Sequence, residues 1–105
     1  MSGDDARALA LGLPEAVEAE HHGRPSFRVQ GRIFATLWTP DSLNVMASEL
    51  QIRAACDDDP ETCTPVLWGT RLAAVRVDLP RADAALVASL LDEAWRGKAP
   101  RRLHG

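Results

Sequence analysis

"GRPSFRVQGRIFATLW", residues 23–38, contains two runs of β-favouring residues that are separated by Gln30 and Gly31. A tight hairpin turn requires positive φ, which glycine adopts at little cost, so this stretch predicts a β-hairpin. Strict alternation sorts the second run into two faces, with Ile33, Ala35 and Leu37 on one and Arg32, Phe34, Thr36 and Trp38 on the other. We expect one face to be buried and the other to be mixed in character.

A short helix and a strand are predicted before the hairpin. Asp4 and Asp5 are suited to cap and charge the helix, and GLP, residues 12–14, is suited to stop it. Val17 and Ala19 then alternate with glutamates, which is typical of a half-buried strand. This segment therefore leads from a short amphipathic helix into a strand beside the hairpin.

Two more helices and a second hairpin are predicted after it. Ser48 and Gln51 have the spacing of a capping box, which opens the second helix. Gly69 lies between two β-favouring runs and marks the turn of the second hairpin. The last helix has Pro80 near its start and Gly97 at its end, and its apolar stripe includes Trp95. We expect Trp95 to lie in the core.

Hairpins in place of repeated crossovers predict an α+β fold, in which helices cover one face of an antiparallel sheet. A chain of 105 residues that is 46% hydrophobic is long enough for one domain, residues 1–105, with one core. Cys56 and Cys63 are the only cysteines, and their spacing does not match a metal knuckle. We therefore expect two reduced cysteines that act as small apolar side chains.

The charge of the chain is small and unevenly distributed. A net charge of -3 argues against a strongly basic nucleic-acid binder. However, residues 21–40 contain three arginines and no acid, and the last ten residues contain four basic residues and no acid. No apolar run approaches the roughly 20 residues that cross a bilayer, and the N-terminus is acidic where a signal peptide is basic. We expect a cytoplasmic protein with no membrane partner.

Several segments together resemble the MmcQ/YjbR family of small bacterial proteins. They are the Gly-x-Pro-x-Phe-Arg pattern from Gly23 to Arg28, the Trp68-Gly69 pair and the ending LLDEAWRGKAPRRL. The resemblance covers most of the chain, and it implies a fold similar to that of the bacterial frataxin CyaY and a role in DNA binding. It also implies a basic first hairpin, a second hairpin near residues 68–71 and a basic C-terminal tail, and it brings no catalytic residues.

The candidate DNA-binding residues are five arginines: Arg28, Arg32, Arg71, Arg101 and Arg102. Guanidinium groups contact phosphate oxygens through two donors at once, so we expect double-stranded DNA to be bound largely through its backbone. In the alternative interpretation, the hairpin arginines solvate the outer sheet face and pair with Glu18 or Glu20, and the tail cations complement the end of the last helix. Both interpretations remain open from the sequence.

A rival hypothesis assigns the exposed sheet face around Phe34, Thr36 and Trp38 to a small ligand or to a protein partner of unknown identity. Trp68, which lies in a loop, is the tryptophan that we would test for base stacking. Two weaker hypotheses place a metal ion at His21-His22 beside neighbouring glutamates, or at the acidic loop of residues 57–61. No nucleophile motif or phosphate-binding glycine loop is present. We therefore expect no enzymatic activity. We also expect a monomer without cofactor or bound metal.

Overall fold

Residues 1–104 are described in the computed structural model of the protein, and they form three α-helices and six β-strands. In chain order these are α1 (Gly3–Leu11), β1 (Ala16–His21), β2 (Arg24–Val29), β3 (Arg32–Thr39), β4 (Ser42–Val45), α2 (Glu49–Asp58), β5 (Cys63–Trp68), β6 (Arg71–Asp78) and α3 (Ala84–Lys98). Short 3₁₀ turns follow β6 and α3, at Leu79–Arg81 and Arg101–Leu103. None of the helices in residues 1–104 is long and apolar enough to span a membrane.

The six strands form one sheet in the order β1-β2-β3-β4-β6-β5, and every neighbouring pair is antiparallel. The β2–β3 hairpin turns at Gln30 and Gly31, whose φ angles are 50° and 77°. The β5–β6 hairpin turns at Gly69, whose φ is 63°. Positive φ at both central residues, as in the first turn, or at the first central residue alone, as at Gly69, is the geometry of a tight hairpin. Both hairpins predicted from the sequence are therefore confirmed.

The helices cover one face of the sheet, and the hydrophobic core lies between these two layers. Strand side chains such as Phe27, Val45 and Val75 are fully buried there. Trp95 of α3 packs into the same core, and its indole Nε1 donates a hydrogen bond of 3.0 Å to the Pro14 carbonyl. The predicted α+β class, with helices on one face, is confirmed, and so is the core position of Trp95.

Strand β3 departs from strict alternation because it contains a β-bulge opposite β2. Phe27 pairs with Ala35, but the next residue, Arg28, pairs with Ile33, so Phe34 is the extra residue. Phe34 and Ala35 are both fully buried, whereas Ile33 lines the opposite face. The predicted faces of Ile33 and Phe34 are therefore wrong, since one inserted residue shifts the alternation for the part of the strand beyond it.

Capping boxes close the N-termini of the first two helices. At α2, Ser48 Oγ accepts a hydrogen bond from the Gln51 N–H, and the Gln51 side chain accepts one from the Ser48 N–H, as predicted. At α1, Ser2 and Asp5 make the same pair of bonds, so the capping residue is Ser2 and not Asp4. The hydrogen bond from the Ser2 backbone N–H lowers the pKa of Asp5, because it stabilises the ionised carboxylate.

The last helix begins and ends later than predicted. Asp83 caps its N-terminus, while Pro80 lies in the 3₁₀ turn before it. Helix α3 continues through Gly97, because a glycine lowers helix propensity but does not end a helix that is held by packing. The backbone becomes extended at Ala99 instead. That residue precedes Pro100, whose ring disfavours the helical conformation of the residue before it.

Strand β1 lies at the edge of the sheet, and only its start packs on the core. Ala16 contacts the core, but Val17 is 54% exposed. Glu18 forms an ion pair with Arg7 of α1, with 2.6 Å between the carboxylate and guanidinium groups. The strand is therefore where the sequence predicts it, but the prediction that Val17 belongs to its buried face is wrong.

Candidate nucleic-acid interface

The sheet face opposite the helices carries a row of polar side chains that crosses five strands. The strand register aligns them in the order Ser26, Thr36, Asn44, Arg76 and Thr64. We call this set the polar row. Ser26, Thr36 and Asn44 are only 0%, 5% and 5% exposed. Longer side chains therefore stand around the row and make it the floor of a depression.

A groove of about 510 Å³ lies over this floor. We call it the open-face groove and define it by Arg24, Trp38, Asn44, Trp68, Arg71 and Arg76. The tip of the β1–β2 hairpin contributes the first of these residues, and the tip of the β5–β6 hairpin contributes the pair at 68 and 71. Pockets that enclose small organic groups usually measure about 300–1,000 Å³, so the groove is large enough for one.

Trp38 forms one wall of the open-face groove, and two arginines hold it in place. The Arg24 guanidinium carbon lies 3.8 Å from the centre of the Trp38 ring, and its Nε donates a hydrogen bond of 2.8 Å to the Trp38 carbonyl. The Arg76 guanidinium carbon lies 5.0 Å from the same ring, and its Nε donates to Asn44 Oδ1 at 2.9 Å. These cation–π contacts and hydrogen bonds fix both guanidinium groups before any ligand arrives.

Trp68 forms a second, more exposed wall. It is 60% exposed at the tip of the β5–β6 hairpin, and it pairs in register with Arg71 across the turn. The Arg71 guanidinium carbon lies 5.6 Å from the centre of the Trp68 ring, which is farther than in the Arg24–Trp38 pair. The Trp68 ring is therefore available for contact with a ligand.

The open-face groove is cationic, although the chain has a net charge of -3. Its basic side chains are Arg24, Arg71, Arg76, Lys98, His21 and His22, and within residues 1–104 no aspartate or glutamate lines it. Carboxylates form ion pairs elsewhere, for example Glu18 with Arg7 and Glu49 with Arg53. Clustered cations without neutralising acids in a concave, partly apolar site concentrate positive potential, so the groove is suited to an anion.

Two of the five predicted DNA-binding arginines, Arg28 and Arg71, lie on the open face of the sheet. Arg71 lines the groove. Arg28 is half-buried beside the polar row, where its Nε donates to Ser26 Oγ at 3.1 Å and its Nη2 donates to the Glu20 carbonyl at 3.4 Å. Arg28 thus contacts the backbone of Glu20 rather than its carboxylate.

The other three predicted arginines lie outside the groove. Arg32 donates from Nη1 to the Lys98 carbonyl at 3.3 Å, which places the β2–β3 hairpin next to the end of α3. Arg102 forms an ion pair with Glu15 at 3.4 Å, and Arg101 is exposed in the last 3₁₀ turn. The β2–β3 hairpin and the end of α3, from which the tail continues, are therefore neighbours, and Glu15 offsets one of the tail charges.

Arg24, Asn44 and Arg76 were missed as candidate site residues in the sequence. Asn44 and Arg76 carry a weak local signal, because a polar side chain interrupts the β-favouring segments SLNV and AAVRV, and Arg24 is one of the three arginines in residues 21–40. Their convergence depends on which strands are neighbours and in what register. Strands β4 and β6 are adjacent although α2 and β5 lie between them in the chain. Local patterns do not contain that information.

The model of one protein family, described as YjbR, matches residues 11–97. The chain belongs to the YjbR family. The membership suggested by the sequence resemblance is thus confirmed, over a segment that contains all six residues defining the open-face groove. The tail arginines lie beyond the matched segment of this YjbR chain. No match was found to a curated protein or to a solved structure.

The metal hypotheses find no support in the geometry. Within residues 1–104, no group of three or more histidine, cysteine, aspartate or glutamate side chains is arranged to hold a metal ion. His21 and His22 instead stack edge to face, with ring centres 4.2 Å apart, and both line the open-face groove. Their position adds polar nitrogen atoms to the groove margin.

Proposed function

We propose that this YjbR protein binds nucleic acid without catalysing a reaction, and that the open-face groove is the contact surface. The single observation that carries the proposal is the composition of the groove. Four permanently basic side chains and two tryptophans line it together, and within residues 1–104 no carboxylate does. Nucleic acids present phosphates and aromatic bases, which guanidinium groups and indole rings bind respectively.

The expected absence of catalysis is part of this proposal. The cysteines offer no activated nucleophile, since burial raises the pKa of the Cys63 thiol to about 11 and also raises the pKa of Cys56. Among its described lining residues the groove has no carboxylate, serine or cysteine, so its two histidines have no carboxylate to orient them and no such nucleophile to activate. We also propose that the protein acts in the cytoplasm and as a monomer.

In this proposal the main phosphate contacts are made in the groove, whereas the sequence alone predicts them at the hairpin and tail arginines. Arg28 and Arg32 already donate hydrogen bonds to protein oxygens, and Arg102 is paired with Glu15. Arg24 and Arg76 also donate one hydrogen bond each, but they lie in a concave site that no described carboxylate lines, which favours phosphate there. We propose that Arg28, Arg32, Arg101 and Arg102 extend the surface at its margin, whereas Arg24, Arg71 and Arg76 supply its centre.

A second candidate function is the binding of a small anionic ligand in the same groove. The specific observation in its favour is the enclosed floor, where Thr36 and Asn44 are nearly buried beneath aromatic walls. A few convergent polar groups inside a largely apolar cleft are typical of small-molecule sites. This candidate predicts that a free mononucleotide or another small organic anion occupies the groove without the rest of a strand.

The test of nucleic-acid binding is fluorescence anisotropy of labelled DNA titrated with the protein at several salt concentrations. If the three groove arginines each neutralise one phosphate, the slope of log K against log salt should be about -2 to -3. Replacing Arg24 and Arg71 together by alanine should reduce the size of the slope by about 1.5, because two phosphate contacts are lost. The matched control replaces Arg53 and Arg81 by alanine, since both are exposed and paired with acids outside the groove.

The control variant should bind DNA as the unchanged protein does. Absence of saturable binding at low salt would contradict the proposal, because electrostatic association is strongest there. Equal loss of affinity in the two double variants would contradict the assignment to the groove.

A further inference from the structure

We infer that the open-face groove receives unpaired nucleotides, so that the protein prefers single-stranded nucleic acid to the duplex of the same sequence. This inference rests on the proposed function and specifies its ligand class. Three features of the groove carry it: its size, the exposure of Trp68 and the polar row on its floor.

The concave shape of the groove excludes a duplex from its interior. A volume of about 510 Å³ accommodates a nucleotide but not a double helix, whose bases are stacked inside a wide cylinder. A duplex is therefore limited to the rim, where arginines reach its phosphates. An unpaired base, by contrast, is free to leave its neighbours and enter the groove.

Trp68 provides the surface on which such a base stacks. Its ring is 60% exposed, and Arg71 stays 5.6 Å from its centre. Trp38 differs, because the Arg24 guanidinium carbon lies only 3.8 Å from the ring centre and Trp38 is 38% exposed. Trp38 therefore acts as a wall that positions cations, whereas Trp68 offers a free aromatic face next to the guanidinium of Arg71 for the adjoining phosphate.

The floor of the groove supplies donors for the edge of the base. Asn44 uses its Oδ1 to accept the hydrogen bond from Arg76, so its Nδ2 is the side-chain atom left to donate to a ligand. The Thr36 hydroxyl lies at the neighbouring register position. Ring nitrogens and carbonyl oxygens of an unpaired base are acceptors for such groups, and in a duplex the Watson–Crick edge is already occupied.

The experiment compares a labelled single strand with its own duplex by fluorescence anisotropy, in the same buffer and salt. We expect the single strand to bind at least tenfold more tightly. Replacing Trp68 by alanine should weaken single-strand binding about tenfold or more, as removal of a stacked aromatic does, and should reduce the preference for the single strand over the duplex. Leu67→Ala is the matched control, because Leu67 is a neighbour of similar exposure, 54%, and does not line the groove.

The outcomes separate the inference from the function on which it rests. A duplex that binds as tightly as the single strand, or a Trp68→Ala variant with unchanged single-strand affinity, overturns the inference and leaves nucleic-acid binding in place. Failure of both forms to bind at low salt overturns the proposed function itself. A mononucleotide that competes as effectively as the strand assigns the groove to a free small ligand, which also overturns the inference.

Discussion

Replacing Phe34 by alanine should lower the free energy of unfolding by about 3–5 kcal/mol, which is the usual cost of removing a buried aromatic ring. Phe34 is fully buried although it sits in a strand whose alternation predicts the opposite face. Domains of this kind are stable by about 5–15 kcal/mol, so the loss would remove a large share of the total. Urea unfolding followed by far-ultraviolet circular dichroism measures it.

Ile33→Ala is the matched control for the bulge, since Ile33 takes the position on the open face that regular pleating assigns to Phe34. Ile33 is only partly buried there, at the groove. Because Ile33 is partly surrounded by solvent, its truncation should lower the free energy of unfolding by about 1 kcal/mol, which is typical of single substitutions. If Ile33→Ala proves more destabilising than Phe34→Ala, the bulge is misplaced and the two faces of β3 are exchanged.

A charge series at Arg76 should have the largest effect on binding. Arg76 belongs to the polar row and stands between Asn44 and Trp38. Arg76→Gln keeps a hydrogen-bonding side chain without the charge and should weaken DNA binding about tenfold, or roughly 1.4 kcal/mol. Arg76→Glu places a carboxylate where phosphate is expected, and like charges in contact cost several kcal/mol, so the loss should be about 100-fold or more. Anisotropy at fixed low salt measures the series.

The control for this series is Arg53→Glu, which makes the same change in net charge on the exposed face of α2. Arg53 is 63% exposed in its side chain and does not line the groove. Reversing the charge at Arg53 should change the affinity for DNA by about twofold or less, because salt screens exposed charges that do not contact the ligand. Thermal unfolding of each variant verifies that it is folded. Equal losses in Arg53→Glu and Arg76→Glu would mean that the protein responds to net charge alone and that the groove has no special role.

Much of the fold follows from local chemistry. Gly31 and Gly69 mark hairpins because their φ values are positive, and Ser48 with Gln51 marks a helix start because side chain and backbone satisfy one another. The errors occur where tertiary structure overrides a local rule. The bulge at Phe34 is imposed by pairing with β2, and Val17 is exposed because it pairs with Arg28 on the open face rather than with Phe27 on the core face.

The candidate site was harder to predict than the fold, for a topological reason. Trp68 and Arg71 are visible in the sequence because they flank one turn. Asn44 and Arg76 become neighbours only when β6 enters the sheet beside β4. Arg24 reaches the same groove from β2, which lies toward the opposite edge of the sheet. Basic residues that are close in sequence therefore indicated the hairpin and the tail as the contact site. Basic residues that are close in space indicate the open-face groove.

NMR of the three tryptophan indole N–H groups, during titration with a single-stranded oligonucleotide, shows whether nucleic acid occupies the open-face groove. We expect large shifts for Trp38 and Trp68, which line the groove, and none for Trp95, which is 2% exposed and donates a hydrogen bond to the Pro14 carbonyl. Saturable binding that leaves the Trp38 and Trp68 signals unmoved would contradict binding in the groove and place the nucleic acid elsewhere on the protein.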